Sequence, residues 1–286
     1  MTPNLLIIGC GDVGLRVLRH WPGAGRVRVL TSSPNRVAGL RAAGALPLRG
    51  NLDDASSLRR LAGLSNRVLH LAPPAPQGVT DERTRRLLAA LSHRPPEVLV
   101  YASTTGVYGD CGGAWVDETR TLRPGTDRAR RRVDAERQLR AFGRCTGTRV
   151  VLLRIPGIYA PDREGGHPRE RLARGTPVLQ AQDDVFTNHI HADDLARACV
   201  RALWAGRPQR AVNVCDDSQL RMGDYFDLAA DLCGLPRPAR ISREAAAEQM
   251  SPMQMSFWSE SRRLRNARMK QELGLQLHYP TPRDGL

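Results

Sequence analysis

Asn4-Leu5-Leu6-Ile7-Ile8-Gly9-Cys10-Gly11-Asp12-Val13-Gly14, followed by Leu15, Val17 and Leu18, reads as a buried strand, a tight turn and the start of a helix. The run before Gly9 is rich in leucine and β-branched side chains, as a strand covered on both faces requires. The G-x-G-x-x-G between the two elements is the arrangement a dinucleotide site needs. Gly9 allows the tight turn. Gly11 has no Cβ, so the backbone can approach a pyrophosphate. Gly14 lets the helix pack closely on the strand. Asp12 and Val13 open a helix whose N-terminus offers N–H groups and a positive dipole end to phosphates. The plainer alternative is a tight connection with no ligand.

Outward from this turn the same alternation repeats. Strand patterns fall at Arg26–Leu30, Ala45–Leu48, Arg67–Leu71, Val98–Ala102 and Arg149–Arg154. Helix patterns lie between them, at Asn35–Ala43, after Asp54, at Thr80–Ser92 and at Thr126–Cys145. Such alternation predicts an α/β fold, a Rossmann-type doubly wound parallel sheet. Ligands in these sheets bind beyond the carboxyl ends of the strands. Those ends here are Gly9 to Gly14, Thr31 to Ser33, Asn51, Ala72 to Pro74, Ser103 to Thr105 and Pro156. After Pro156 the pattern weakens. Residues 161–175 read as a loop beside a substrate cleft, Val212–Cys215 as a further strand, Met222–Cys233 as a helix, and Arg265–Leu273 as a helix stopped by Gly274. The expected division is a dinucleotide-binding domain over residues 1–155, completed by pieces of about 186–215. Residues 156–185 and 216–286 would form a small, mainly helical C-terminal substrate lobe.

With 286 residues and 41% apolar side chains the chain can build one large core. No apolar run has the length of a membrane span, and no basic stretch precedes the first strand, so a secretory signal is not expected. The six cysteines are scattered without a C-x-x-C pair, which points to reduced thiols and a cytoplasmic protein. A net charge of +14 invites a nucleic-acid reading. Yet Lys270 is the only lysine, and the basic clusters Arg128–Arg132 and Arg262–Arg268 fall on amphipathic stretches. Solvated faces are the expected reading, with no nucleic acid or membrane as main partner and a monomer or homodimer as the assembly.

Several segments together resemble the extended short-chain dehydrogenase/reductase superfamily, in its NAD-dependent epimerase/dehydratase branch. They are Gly9–Gly14, Ser103-Thr104-Thr105-Gly106-Val107-Tyr108-Gly109, Leu153-Arg154-Ile155-Pro156-Gly157-Ile158-Tyr159, Ile190-His191-Ala192-Asp193-Asp194-Leu195, and Glu272–Leu275 before Tyr279-Pro280. The resemblance implies that Leu71 and Ala72 run along the cofactor and that Asn51 and Leu52 sit by the adenine, although the family usually has Asp at position 51. It also implies that Thr104 stands where the catalytic Ser/Thr stands. The departures are as informative. Ile8 occupies the first glycine place of the usual G-x-x-G-x-x-G. The family's catalytic Tyr-x-x-x-Lys is absent from the whole chain. Counting back from Glu136, which matches a glutamate on the same helix, Arg132 stands in the lysine place and Arg128 in the tyrosine place. The chain thus resembles atypical members that keep the cofactor fold and lose the catalytic pair.

The resulting expectation is an NAD(P)-dependent oxidoreductase or epimerase acting on an unidentified small molecule with altered chemistry. The alternative is a non-catalytic NAD(P)-binding sensor. NADP is favoured over NAD, because Thr31 and Ser32 end the second strand with Arg36 close behind and no acid nearby. Candidate catalytic groups are Thr104 and Tyr108, although a strand-end hydroxyl and a packing tyrosine are their plainer readings. The resemblance implies that Arg132, in the lysine place, lies at the nicotinamide ribose. His189, His191, Asp193 and Asp194 have ligand-like spacing, but helix capping by the two aspartates explains them without metal. Cys10, near a helix N-terminus, could be a reactive thiol or simply a small loop side chain.

Overall fold

A computed structural model describes residues 3–250, 255–256 and 258–286. In chain order the first half comprises β1 (Leu5–Ile8), α1 (Asp12–His20), β2 (Val27–Thr31), α2 (Val37–Ala42), β3 (Leu46–Arg49), β4 (Arg67–His70), α3 (Glu82–Leu91), β5 (Val98–Thr104), β6 (Trp115–Val116) and α4 (Asp127–Thr146). The second half comprises β7 (Arg149–Ile155), β8 (Gly157–Tyr159), α5 (Arg169–Ala173), β9 (Val178–Leu179), β10 (His189–His191), α6 (Ala192–Ala205), β11 (Arg210–Asn213), α7 (Met222–Cys233), β12 (Arg240–Ile241), α8 (Arg243–Gln249) and β13 (Arg263–Leu264). Short helices Ala267–Glu272 and Pro282–Gly285 close the chain.

Seven strands form one parallel sheet in the order β11-β7-β5-β4-β1-β2-β3. The order reverses at β1, and the glycine turn leaves the sheet at that switch point. Alternate residues of each strand feed opposite faces. Leu5, Ile7, Val29, Val100 and Leu153 pack beneath α1 and α6, whereas Leu6, Ile8, Leu99, Tyr101 and Leu152 pack beneath α3 and α4. All four residues of β1 are buried, which explains its unbroken apolar run.

Local signals fix the long helices. Thr126 accepts a hydrogen bond from Ala129 N at 3.2 Å and starts α4, while Gly147 ends it at φ 77°. The stretch after Asp54 differs from the helix expected there: Ala55–Leu61 is a 3₁₀ segment. Asp54 accepts from Ser56 N at 2.9 Å, and Ser57 Oγ donates to the carbonyls of Asn51 and Asp54. These short-range bonds compete with the α ladder. Outside the main sheet the chain forms three short strand pairs: β8 with β10, β9 with β12 and β6 with β13, all parallel.

The expected capping by Asp193 and Asp194 is corrected by the structure. His191 Nδ1 accepts from Asp193 N at 3.2 Å and is itself the cap of α6. Asp194 is fully buried and accepts from His278 N at 3.0 Å, Tyr279 N at 2.9 Å and Arg197 Nη1 at 2.6 Å. It fastens the C-terminal tail to the first turn of α6. No helix among the described residues is long and apolar enough to cross a membrane.

Candidate functional site

Two adjoining cavities open at the carboxyl ends of the strands. The first, of about 320 Å³, is lined by Gly9, Gly11, Asp12, Val13, Gly14, Leu71, Ala102, Ser103, Thr104, Arg132, Ile155, Pro156, Ile158, Arg163 and Leu195. Its floor is the glycine turn. Gly9 has φ 83°, and a Cβ there would lie 2.6 Å from Ala72 N. Gly14 is similarly pressed: an added Cβ would sit 2.8 Å from Cys10 Sγ. Gly11 is different. A Cβ built on it meets no protein atom within 4 Å, and no side chain caps α1. The space above Gly11 is open and faces uncapped helix N–H groups, a cradle that fits a pyrophosphate. Asp12 carries two guanidinium partners, Arg16 Nε at 3.1 Å on Oδ1 and Arg163 Nη1 at 2.6 Å on Oδ2.

The opposite wall is built by β5 and α4. Arg132, one turn into α4, donates to Tyr101 Oη at 2.9 Å and to the Ala102 carbonyl at 2.8 Å. This fixes its guanidinium at the cavity edge. Thr104 ends β5, lines both cavities, and accepts from Gly106 N at 3.2 Å. Its hydroxyl therefore caps the following turn as well as facing the cleft.

The reading of Tyr108 as a catalytic phenol is corrected. Its ring is 1% exposed and lies outside both cavities. The 3₁₀ turn Thr105–Tyr108 aims it inward, where its hydroxyl donates to Asn213 Oδ1 at 2.7 Å and accepts from Arg154 Nη1 at 3.0 Å. Burial pushes the phenol up to about 12, against the pull of Arg154. Glu136 completes this buried network. It holds Arg154 through both carboxylate oxygens, at 3.1 and 2.8 Å, and accepts from Ser103 Oγ at 2.7 Å.

The second cavity, of about 650 Å³, is lined by the β5 end, the start of α4, Pro156 and Gly157, and residues drawn from the stretch between Arg171 and Arg262. Thr104, Arg132 and Pro156 are common to both. Its walls add Arg128, Arg171 and Arg262, with Phe186, Tyr225 and Phe226 as apolar panels and Glu260 as an acid. Arg128 thus reaches this cleft, and no tyrosine among the described residues lines the first cavity. Arg171 stacks over Phe226 at 4.4 Å, and its Nε and Nη2 are buried without a hydrogen-bond partner. His189 stacks on Tyr225 with centroids 4.0 Å apart, and burial holds it neutral by lowering it to about 3.

Not all the candidates named from sequence converge. Gly9, Gly11, Asp12, Val13, Gly14, Leu71, Thr104 and Arg132 do. Ala72 supports the turn from below. Thr31, Ser32 and Arg36 sit outside the cavity at the end of β2. Thr31 Oγ1 accepts from Ser33 N at 3.2 Å, and Ser32 and Arg36 are exposed. Asn51 Oδ1 accepts from Asp53 N at 3.0 Å, so that oxygen serves its own turn, and Leu52 is buried in the core. The idea that Cys10 is a reactive thiol is also corrected: it is 2% exposed, and burial raises it to about 11 although Arg36 pulls the other way. Sequence reasoning missed Arg163, Arg171, Phe186, Tyr225 and Phe226. All come from the region after Pro156, where a loop over 161–175 and a helix over Met222–Cys233 were expected but neither pattern says which side chains face a cleft.

The comparisons with known proteins agree with this geometry. The model of the NAD dependent epimerase/dehydratase family matches residues 5–215. No curated protein matches the chain. Among solved structures, a functionally unknown conserved protein from Silicibacter pomeroyi is 31% identical with a TM-score of 0.80, over 99% of this chain and 96% of that one. A UDP-glucose 4-epimerase from Thermotoga maritima, solved with UDP-glucose, has the same TM-score of 0.80 and coverage of 99% and 96% at 19% identity. A dTDP-glucose 4,6-dehydratase from Streptomyces venezuelae, solved with NAD, has a TM-score of 0.77 at 21% identity, over 99% and 94%. The last two likenesses speak for the fold. The family match spans most of the chain, from β1 past β11, and takes in the glycine turn, the β5 end and Arg132, so this protein belongs to the NAD-dependent epimerase/dehydratase family.

Proposed function

We propose that this protein is an NAD(P)-dependent oxidoreductase acting on an anionic small molecule, without a tyrosine to exchange the proton. One observation carries the reading. The glycine-turn cavity and the basic chamber share Thr104, Arg132 and Pro156, so a dinucleotide in one and a substrate in the other meet at that wall. When bound, the nicotinamide supplies or accepts the hydride. The open cradle at Gly11 binds the pyrophosphate, Leu71 packs along the cofactor, and Arg132 reaches the nicotinamide ribose in place of a lysine. Thr104 orients a substrate oxygen. Arg171, with its unpartnered buried nitrogens, and Arg128 point to an anionic substrate. The nucleotide sugars named for the solved structural neighbours have that character. NADP is the favoured cofactor, because Thr31, Ser32 and Arg36 offer hydroxyls and a guanidinium at the end of β2.

The non-catalytic reading draws on a specific observation too: no phenol among the described residues lines the first cavity. Titration with NADPH and NADH, followed by turnover assays across nucleotide sugars and carbonyl acids, separates the two. Tight binding with no turnover on any of them would replace the oxidoreductase by a cofactor-binding regulator. Tighter NADH than NADPH binding would remove the NADP preference.

A further inference from the structure

The loop that follows β8 reaches back over the glycine turn. Asp162 pairs with Arg16 of α1, and the next residue, Arg163, pairs with Asp12 one turn earlier on the same helix. The two contacts differ in kind. Arg16 is 2% exposed and also holds Asp193 Oδ1 at 2.6 Å and Asp12 Oδ1 at 3.1 Å. It is a fixed anchor shared among three carboxylates. Arg163 keeps 26% of its side chain exposed and lines the same cavity as Gly9, Gly11 and Gly14. Asp12 has a second partner in Arg16, so the loss of Arg163 would not leave its carboxylate unpaired.

We infer that Arg163 is a cofactor-binding residue: its guanidinium leaves Asp12 on binding and clamps the dinucleotide pyrophosphate from the lobe side. The inference rests on the dinucleotide reading of the glycine turn. Its physical basis is the charge of Asp12. A carboxylate in the first turn of α1 repels a pyrophosphate placed over Gly11, and the helix N-terminus contributes only about half a unit charge against it. Arg16 is committed to its three carboxylates. Arg132 is held at the β5 wall by Tyr101 and Ala102. Arg163 is the lining cation whose present partner can release it, and its planar fork suits phosphate oxygens. Asp12 then acts as a parking site that keeps the guanidinium beside the cradle before the anion arrives.

The test is a set of titrations on the full chain at low salt, with NADPH, ADP-ribose and adenosine as probes. Arg163→Ala should weaken NADPH and ADP-ribose about ten- to hundredfold, the loss of a charge-assisted phosphate contact. Adenosine, which lacks the pyrophosphate, should compete equally well with parent and variant. Arg163→Lys should recover part of the loss, and Asp12→Asn should tighten both phosphate-bearing probes. Melting temperature and far-UV spectra confirm that each variant is folded. Unchanged or tighter NADPH binding by Arg163→Ala would overturn the clamp, as would an equal loss for adenosine. Failure of the parent itself to bind any dinucleotide would instead overturn the cofactor reading, and the clamp with it.

Discussion

Gly11→Ala separates a glycine needed by the chain from one needed by a ligand. The residue has φ −81°, outside the left-handed region that favours glycine. Its added Cβ meets no protein atom within 4 Å. Folding should therefore tolerate the change. Removing the extra freedom of glycine from the unfolded chain adds about 0.4–1 kcal/mol of stability, or a rise of roughly 1–4 °C in melting temperature for a chain of this size. The methyl group instead occupies the space proposed for the pyrophosphate. Forcing a methyl into a close-packed contact costs about 1–3 kcal/mol, so the Kd for NAD(P)H should rise about 5- to 150-fold. The control is Gly9→Ala, where φ is 83° and the Cβ would lie 2.6 Å from Ala72 N; that variant should lose stability outright. Differential scanning fluorimetry gives the first quantity, and quenching of tryptophan fluorescence or calorimetry gives the second. A Gly11→Ala protein that melts like the parent and binds NADPH as tightly would show that no pyrophosphate approaches this turn.

Three further outcomes follow from buried groups. Tyr108→Phe removes a hydroxyl bonded to Asn213 and Arg154 and should cost about 1–3 kcal/mol of stability while leaving turnover per folded molecule unchanged; a loss of turnover at parental stability would restore Tyr108 to the chemistry. Asp194→Ala strips the tail anchor from His278 and Tyr279 and should cost on the order of 3–5 kcal/mol, read as a large drop in melting temperature; a parental melt would refute the anchoring role. Burial raises the Asp216 carboxyl from its ordinary 3.8 to about 7 in the folded chain, with Oδ2 unpartnered. Between those values the folded state holds a proton that the unfolded state has released, so this contribution is complete below about 3.8 and lost as pH rises through about 7. Asp216→Asn should accordingly melt higher than the parent at about pH 8, the gap narrowing toward acid; a gap that does not change with pH would discount the titration.

The sheet was legible because its central strands are buried on both faces and end in residues that stop them. Leu5–Ile8 before Gly9 and Val98–Thr104 before Gly106 carry that pattern within a few residues. The glycine turn, Gly9 to Gly14, stood out for the same reason, as the link between a buried strand and a helix, whereas Leu71, Thr104 and Arg132 were singled out by the resemblance to the family; all of them line the first cavity except Cys10. What failed depended on direction or on distance along the chain. Tyr108 is four residues from Thr104, but one 3₁₀ turn sends its ring down to Arg154 instead of out to the cleft. Asp194 looked like a cap because its partners, His278 and Tyr279, lie 84 and 85 positions away. Arg163 and Arg171 lie near loops whose placement is set by long-range pairs, such as Asp162 with Arg16, and no periodicity reports those.

The residues gathered around the shared wall also limit its chemistry. Arg128 and Arg132 both line the second cavity, and neither guanidinium gives up a proton in a protein. His189 is held neutral by burial, near about 3, so it carries no proton to donate as a cation at neutral pH. Burial also raises the Tyr225 phenol, away from the range in which a phenolate forms. The groups that remain are fixed cations, neutral dipoles and two carboxylates already paired with guanidinium groups, Glu260 with Arg262 and Asp12 with Arg16 and Arg163. Such a set stabilises negative charge on a substrate oxygen, with Thr104 and Arg132 nearest the cofactor cavity, more readily than it moves a proton. A substrate that brings its own ionisable group to this wall suits it better than a neutral alcohol, whose proton the standard tyrosine would remove.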